Sequence, residues 1–135
     1  MNGLPDRFEE IQQWTEKADN DLRSAEFILT MEKDCPYDIV CFHAQQAVEK
    51  YLKALLVKEN IEFPRTHDLI ILFNMIPSKN TLTIEKHDLL ALNRYSVESR
   101  YPGDLEPYSL EEAMDAIAIA QKVAAAMQSC LKINS

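Results

Sequence analysis

Glycine and cysteine are scarce in this chain, and each shortage excludes a kind of site. With 2 glycines in 135 residues, a glycine-rich loop that cradles a phosphate with backbone N–H groups is not available. The three cysteines, Cys35, Cys41 and Cys130, are odd in number and show no CxxC spacing. They therefore indicate thiols in a reducing compartment rather than a disulfide framework.

Long apolar runs and excess positive charge are also missing. No apolar run approaches the ~20 residues that a membrane-spanning helix needs, and the first ten residues lack the layout of a signal peptide. These two observations predict a cytoplasmic protein without a membrane segment. The formal net charge of −8 repels a phosphate backbone, so direct binding to nucleic acid is not expected.

What the chain does contain is typical of helices. Apolar residues make up 47% of the sequence, and they recur at helical spacing. The pattern predicts an all-α, up-and-down antiparallel bundle of about five helices, four long and one short, in a single domain over residues 1–135. The predicted helices cover 7–31, 37–59, 69–76, 84–97 and 110–131, with capping signals at Asp6, Asp68 and Ser109.

The predicted second helix is divided into an apolar half and a polar half. The apolar half predicts core positions Val40, Cys41, Ala44, Ala47, Val48, Tyr51, Leu52, Ala54 and Leu55. The other half is polar but also contains an aliphatic and an aromatic residue, which a face in contact with a partner often has. This half predicts an interface with a second copy or another protein, formed by Ile39, Phe42, His43, Gln45, Gln46 and Glu49.

Four short motifs follow one another along the chain. The most specific is Phe42-His-Ala-Gln-Gln-Ala47, continued by Glu49-Lys50 and Leu52-Lys-Ala54. The others are Trp14, Ala18, Asp21-Leu22 and Ala25 in the first helix, Thr66-His-Asp-Leu69 before the third, and Arg100-Tyr-Pro102 before the last. In this order the motifs resemble those of HEPN domains (higher eukaryotes and prokaryotes nucleotide-binding), of the minimal single-domain prokaryotic type. The resemblance runs from about Trp14 to Leu131 and implies a helical bundle that pairs with another bundle.

Catalytic HEPN domains are ribonucleases that carry an Arg followed after four to six residues by a His. This chain departs from that pattern, because no Arg has a His at that spacing and no His follows Arg94. A general acid–base group is needed for attack by a 2′-hydroxyl, so we expect a protein that is not an enzyme of this kind. The sequence also has no Glu-x-x-His and no His-x-x-x-His, so neither a metal nor another cofactor is expected.

A nucleotide, if bound, has to be held by side chains. The candidate ligand-binding residues are cations, a ring that can stack on a base, and the His-Asp pair of the third motif: Lys50, Lys53, Arg94, Arg100, Tyr101, His67 and Asp68. Some of these residues, and His43, have structural alternatives. Arg100 can pair with Glu49 or with a helix end, Asp68 can cap the third helix, and His67 and His43 can hydrogen-bond within the bundle.

The resemblance implies a non-catalytic HEPN protein that forms a homodimer. Its role would be to bind a nucleotide, to partner a minimal nucleotidyltransferase in a toxin–antitoxin-like module, or both. Two alternatives stay open. One is a HEPN ribonuclease toxin that uses a displaced histidine, and the other is a helical adaptor that binds only proteins.

Overall fold

The computed structural model describes residues 6–96 and 108–131. The first two helices form an antiparallel pair, α1 (Arg7–Ile28) and α2 (Tyr37–Lys58). Helix α1 begins where the Asp6 carboxylate accepts a 2.8 Å hydrogen bond from the backbone N–H of Glu9, which satisfies one of the N–H groups that the first turn leaves without a partner. The pairing of the helices buries Ala18, Leu22 and Ala25 of α1 against α2.

Helix α2 is the centre of the bundle. It packs against each of the other helices, and the nine core positions predicted from its apolar half are all buried. The helix ends in a Schellman motif: Asn60 has a positive φ of 61°, and the N–H groups of Asn60 and Ile61 donate to the carbonyls of Val57 and Leu56. This ending turns the chain back along α2, so that the linker of residues 60–68 lies against the helix it has just left.

Two short helices follow the linker. They are α3 (Leu69–Met75) and α4 (Lys86–Asn93), separated by one 3-10 turn at Lys79–Thr81. The Asp68 carboxylate caps α3 by accepting hydrogen bonds from the N–H groups of Ile70 and Ile71, at 2.9 and 3.3 Å. Pro77 stands just beyond the end of α3, where a helix often stops.

The last helix, α5 (Leu110–Cys130), begins with a complete capping box between Ser109 and Glu112. It runs parallel to α2, because the start of α5 lies beside the start of α2 and the end of α5 lies beside the end of α2. Tyr95 links the two beginnings, since its hydroxyl donates to Glu112 of α5 at 3.2 Å and lies beside Cys41 of α2. At the other end the Lys58 ammonium donates to the carbonyl oxygen of Cys130.

The all-α fold class and the count of five helices are confirmed for the described residues. Three helices are long, and α4 is shorter than the predicted 84–97, because the helical hydrogen bonds end at Asn93 and the chain turns at Arg94 and Tyr95. Within 6–96 and 108–131, no helix combines the length and the apolar character that crossing a membrane requires.

Candidate functional site

Two side-chain triads with the same functional groups form along the polar half of α2, with one residue of α1 and one of the linker. In each triad, one carboxylate lies between a histidine and a lysine. The inner triad consists of His67, Glu49 and Lys53, and the outer triad consists of His43, Asp21 and Lys50. Each carboxylate faces a histidine Nδ1 with one oxygen and a lysine Nζ with the other.

The carboxylate and the ammonium of the inner triad are buried under the linker, whereas the His67 side chain is 42% exposed. Glu49 Oε1 lies 2.9 Å from His67 Nδ1, and Glu49 Oε2 lies 2.8 Å from Lys53 Nζ. The side chains of Glu49 and Lys53 are only 4% and 9% exposed. The Lys53 ammonium also lies 5.3 Å from the ring centroid of Trp14 and 5.9 Å from that of Phe63. A desolvated ammonium is therefore held by a carboxylate and by two aromatic rings.

Two glutamines connect the inner triad to the linker. Gln46 Nε2 donates to Gln45 Oε1 at 2.8 Å and to Glu49 Oε1 at 3.2 Å. Gln45 Nε2 donates to the backbone carbonyl of His67 at 3.0 Å. Because Gln45 is fully buried, losing one of these bonds would leave a buried amide without its partner. The network therefore fixes His67 and the linker in position relative to α2.

The outer triad joins α1 to α2 at the surface. Asp21 of α1 lies 2.9 Å from His43 Nδ1 and 2.5 Å from Lys50 Nζ. The side chains of His43 and Lys50 are 27% and 22% exposed. Water reaches both of them and screens their attraction to Asp21. The Asp21–Lys50 ion pair is therefore weaker than the buried Glu49–Lys53 pair.

Asp68 has a structural role in this arrangement. Besides capping α3, it accepts a 2.9 Å hydrogen bond from Asn93 Nδ2, and Asn93 Oδ1 accepts one from the Leu69 N–H. The hydrogen bond from Asn93, together with those from the Ile71 and Ile70 N–H groups, lowers the pKa of Asp68. The carboxylate is therefore ionised at neutral pH and holds α3 to the end of α4.

Arg94 lies at a second cluster, between the end of α4 and the start of α5. Its Nη2 lies 2.8 Å from Glu112 Oε2 and 3.1 Å from the Tyr95 hydroxyl. Burial raises the pKa of Tyr95 to about 12, and burial also raises the pKa of the Cys41 thiol to about 12. Both groups are therefore protonated at neutral pH, and the Cys41 thiol is a poor nucleophile.

Three of the predicted site residues lie in environments that the sequence did not indicate. Gln45 and Glu49, predicted on an interface, are 0% and 3% exposed and lie inside the protein, because the linker and α3 cover this side of α2. Lys53, predicted to bind a ligand, is 7% exposed and is neutralised by Glu49. The other predicted interface residues, Ile39, Phe42, His43 and Gln46, keep at least part of their surface exposed.

The predicted ligand-binding residues do not converge on one pocket. Lys50, His67 and Arg94 each pair with a carboxylate of the protein itself, and Asp68 is a helix cap. Arg100 and Tyr101 lie outside the described residues. Asp21, Asn93, Trp14 and Phe63 complete the triads and the cap. Of these four, only Trp14 and Asp21 had a sequence signal, their place in the first-helix motif.

His43 and His67 are the side chains of this site that are suited to proton transfer. A neutral imidazole whose Nδ1–H donates to a carboxylate presents its Nε2 as a proton acceptor. In the described part of the chain, neither His43 nor His67 has a hydrogen-bond partner at Nε2. No three His, Cys, Asp or Glu side chains among the described residues are grouped so that they could hold a metal ion.

The fold and the comparisons with known proteins agree on the family. The model of the HEPN domain family matches residues 11–130, which is most of the chain, so the protein belongs to the HEPN domain family. No curated protein matches the sequence significantly.

Two solved structures have the same fold. TT1696 from Thermus thermophilus is 27% identical and has a TM-score of 0.74, and the match covers 89% of this chain and 97% of that one. ST0689, an archaeal HEPN homologue, is 26% identical with a TM-score of 0.66, over 90% of this chain and 98% of that one.

Proposed function

We propose that this HEPN domain is non-catalytic and acts by binding. It forms a homodimer, and it binds a nucleotide, partners a minimal nucleotidyltransferase in a toxin–antitoxin-like module, or does both. The protein-binding role has the stronger support from the geometry. The nucleotide-binding role depends on a site other than the polar half of α2.

The observation that carries the proposal is the internal pairing of charge along α2. Lys50 and Lys53 both face carboxylates of the protein itself at 2.8 Å or less. A phosphate at this position would compete with Asp21 and Glu49 for the same two ammonium groups. The same helix presents Ile39 at 39% exposure and a half-buried Phe42 beside His43, a combination of apolar and neutral polar groups that suits a protein partner.

The interface is tested with the double variant Phe42→Ala, Gln46→Ala. We expect this variant to keep its helical circular dichroism but to lose self-association in analytical ultracentrifugation, and to lose co-purification with a minimal nucleotidyltransferase from the same genome. The matched control is Phe27→Ala, which removes an aromatic ring that is 75% exposed at the end of α1. Unchanged association of the double variant would refute the proposed interface.

Nucleotide binding is tested by thermal shift with the intact protein and with Lys50→Ala and Arg100→Ala. A nucleotide at about 100 times its dissociation constant stabilises the fold by about 2.7 kcal/mol, which is a readily measured change in Tm. Loss of the shift in Arg100→Ala would place the ligand beside that residue. If no nucleotide changes the Tm, the nucleotide-binding part is wrong and the protein-binding part stands alone.

A ribonuclease that uses a displaced histidine is the second candidate function. It is favoured by one observation, the Nε2 of His67, which has no partner among the described residues while Glu49 orients the ring. This function predicts metal-independent cleavage of RNA that His67→Ala abolishes. His87→Ala is the matched control, because the His87 side chain is 89% exposed. RNA that stays intact with the protein, alone and with its partner, would exclude this candidate.

A further inference from the structure

Beside the inner triad, one face of α1 borders a surface cleft. The cleft has a volume of about 320 Å³ and is lined by Glu10, Gln13, Trp14 and Lys17; we call it the Trp14 cleft. These four residues are separated by three, one and three positions, so they share one face of the helix over two turns.

The order of side chains along the Trp14 cleft gives it two chemically different ends. Glu10 supplies a carboxylate at one end, and Lys17 supplies an ammonium at the other. Seven residues of α-helix separate them by about 10.5 Å along the axis. The aromatic ring of Trp14 and the amide of Gln13 lie between them. A ligand that matches this order has a group that donates hydrogen bonds, then a planar ring, then an anion.

Trp14 is already fixed as one part of an aromatic pair. Its ring contacts Phe63 edge to face, with centroids 6.3 Å apart, and the Lys53 ammonium lies over both rings. Phe63 lines a neighbouring cleft of about 370 Å³ that shares Glu10 with the first and also includes Arg7. Because the inner triad holds Lys53 in place, the tryptophan ring is pre-organised, and stacking on it costs little conformational entropy.

Lys17 differs from Lys50 and Lys53 in its charge environment. Within the described part of the chain, Lys17 makes no ion pair, whereas Lys50 and Lys53 are both neutralised. A phosphate that approaches Lys17 therefore displaces no carboxylate. Glu10, at the far end, repels an anion and accepts hydrogen bonds from an amino group, so the two ends favour one orientation of the ligand.

We propose that the Trp14 cleft binds a nucleoside monophosphate with an amino-substituted base: the base stacks on Trp14, its amino group donates to Glu10, and the phosphate contacts Lys17. This inference rests on the proposed nucleotide-binding function and gives it a location that the polar half of α2 does not provide. The interface on α2 is independent of it.

Trp14 is the only tryptophan of the chain, so the fluorescence reports on the immediate surroundings of this one ring. We expect titration with AMP to quench the emission, because a base stacked on the indole quenches it. Inosine monophosphate, which lacks the amino group, should bind about tenfold more weakly, as expected for one lost hydrogen bond to a charged group. Adenosine and inorganic phosphate, which each supply part of the ligand, should both bind more weakly than AMP.

Lys17→Ala should weaken AMP binding about three- to tenfold, since an exposed charge-assisted contact to phosphate is lost. Lys33→Ala, which removes a lysine from the exposed loop after α1, is the matched control and should leave the affinity unchanged. Both variants change exposed residues, so circular dichroism is expected to confirm that each folds.

The possible outcomes separate two questions, whether the protein binds a nucleotide and whether the nucleotide binds in the Trp14 cleft. Quenching by AMP that Lys17→Ala weakens and Lys33→Ala does not would support the Trp14 cleft. A nucleotide that raises the Tm without quenching Trp14, or with the same affinity in Lys17→Ala, would overturn the location and leave nucleotide binding intact. If no nucleotide changes either the fluorescence or the Tm, both the cleft and the nucleotide-binding function are wrong.

Discussion

The inner and outer triads have the same three functional groups in the same connectivity, yet their carboxylate–lysine pairs differ in burial. Glu49 and Lys53 are 4% and 9% exposed beneath the linker, whereas Asp21 and Lys50 are 14% and 22% exposed. The histidines do not follow this order, since His67 is 42% exposed and His43 is 27% exposed. The two ion pairs therefore contribute differently to the free energy of unfolding. A low local dielectric strengthens an ion pair and also raises the cost of removing one partner. The contribution of a charged cluster to stability therefore depends on which segments of the fold cover it, and not only on which residues form it.

The largest expected effect comes from breaking the inner triad. Glu49→Ala leaves Lys53 buried without its carboxylate and removes an acceptor from Gln46 and His67. Loss of one partner of a buried ion pair costs about 3 kcal/mol or more, which should appear as a lower midpoint in urea denaturation. Glu49→Gln keeps hydrogen-bonding groups at that position and is expected to be less destabilising. A cost below about 1 kcal/mol for Glu49→Ala would show that water reaches Lys53 in solution.

A third carboxylate, Asp68, separates the effect of hydrogen bonding from that of ion pairing, since its partners are an amide side chain and backbone N–H groups. Asp68→Ala should cost about 1–2 kcal/mol through loss of the α3 cap, measured by urea denaturation. Asn93→Ala is the comparison variant. It removes the bond to Asp68 and the one from the Leu69 N–H, but it leaves the two cap bonds from Ile70 and Ile71 in place, so it should cost less.

The pH dependence of stability provides an independent check on Asp68. Its pKa is lower in the folded protein than its usual 3.8, and the pKa of Glu112 is also lowered. A carboxylate of this kind stabilises the fold at a pH above its unfolded pKa, and the contribution is lost as the pH falls through the folded value. We expect the Tm to fall below about pH 4, and to fall less steeply for Asp68→Ala. The same slope in both proteins would contradict this role.

A smaller effect is expected for the outer triad. Asp21→Ala should destabilise the protein by about 1 kcal/mol or less, because Lys50 and His43 regain solvent contacts when the carboxylate is removed. A double-mutant cycle of Asp21→Ala with Lys50→Ala measures the coupling directly. A coupling as large as that between Glu49 and Lys53 would mean that exposure is not the property that separates the two triads.

The smallest expected effect is the response to salt. Raising NaCl from about 0.1 M to 1 M shortens the Debye length from about 10 Å to 3 Å. The coupling of Asp21 with Lys50 should therefore decrease by a few tenths of a kcal/mol, and the coupling of Glu49 with Lys53 should change less. Equal salt sensitivity in both cycles would contradict the difference in solvent access.

The helices and caps were predictable because their signals are local. The apolar spacing of α2 correctly predicted all nine of its core positions, and Asp68 and Ser109 cap α3 and α5 as the motifs indicated. The fate of the polar half of α2 was not predictable in the same way. Gln45 and Gln46 are neighbours in sequence, but only Gln45 is fully buried, because the linker returns along one side of the helix and leaves the other side open.

The sequence by itself determined the helical class, the helix boundaries to within a few residues over most of the chain, the core face of α2 and the resemblance to HEPN domains. These follow from hydrophobic periodicity, capping chemistry and short motifs, all of which act over a few residues. Only the tertiary structure decided which polar residues of α2 are buried and which carboxylate each lysine faces. Those properties depend on contacts between residues far apart in the chain, such as Asp21 with Lys50 and Glu49 with His67, and the local pattern of charges does not encode such contacts.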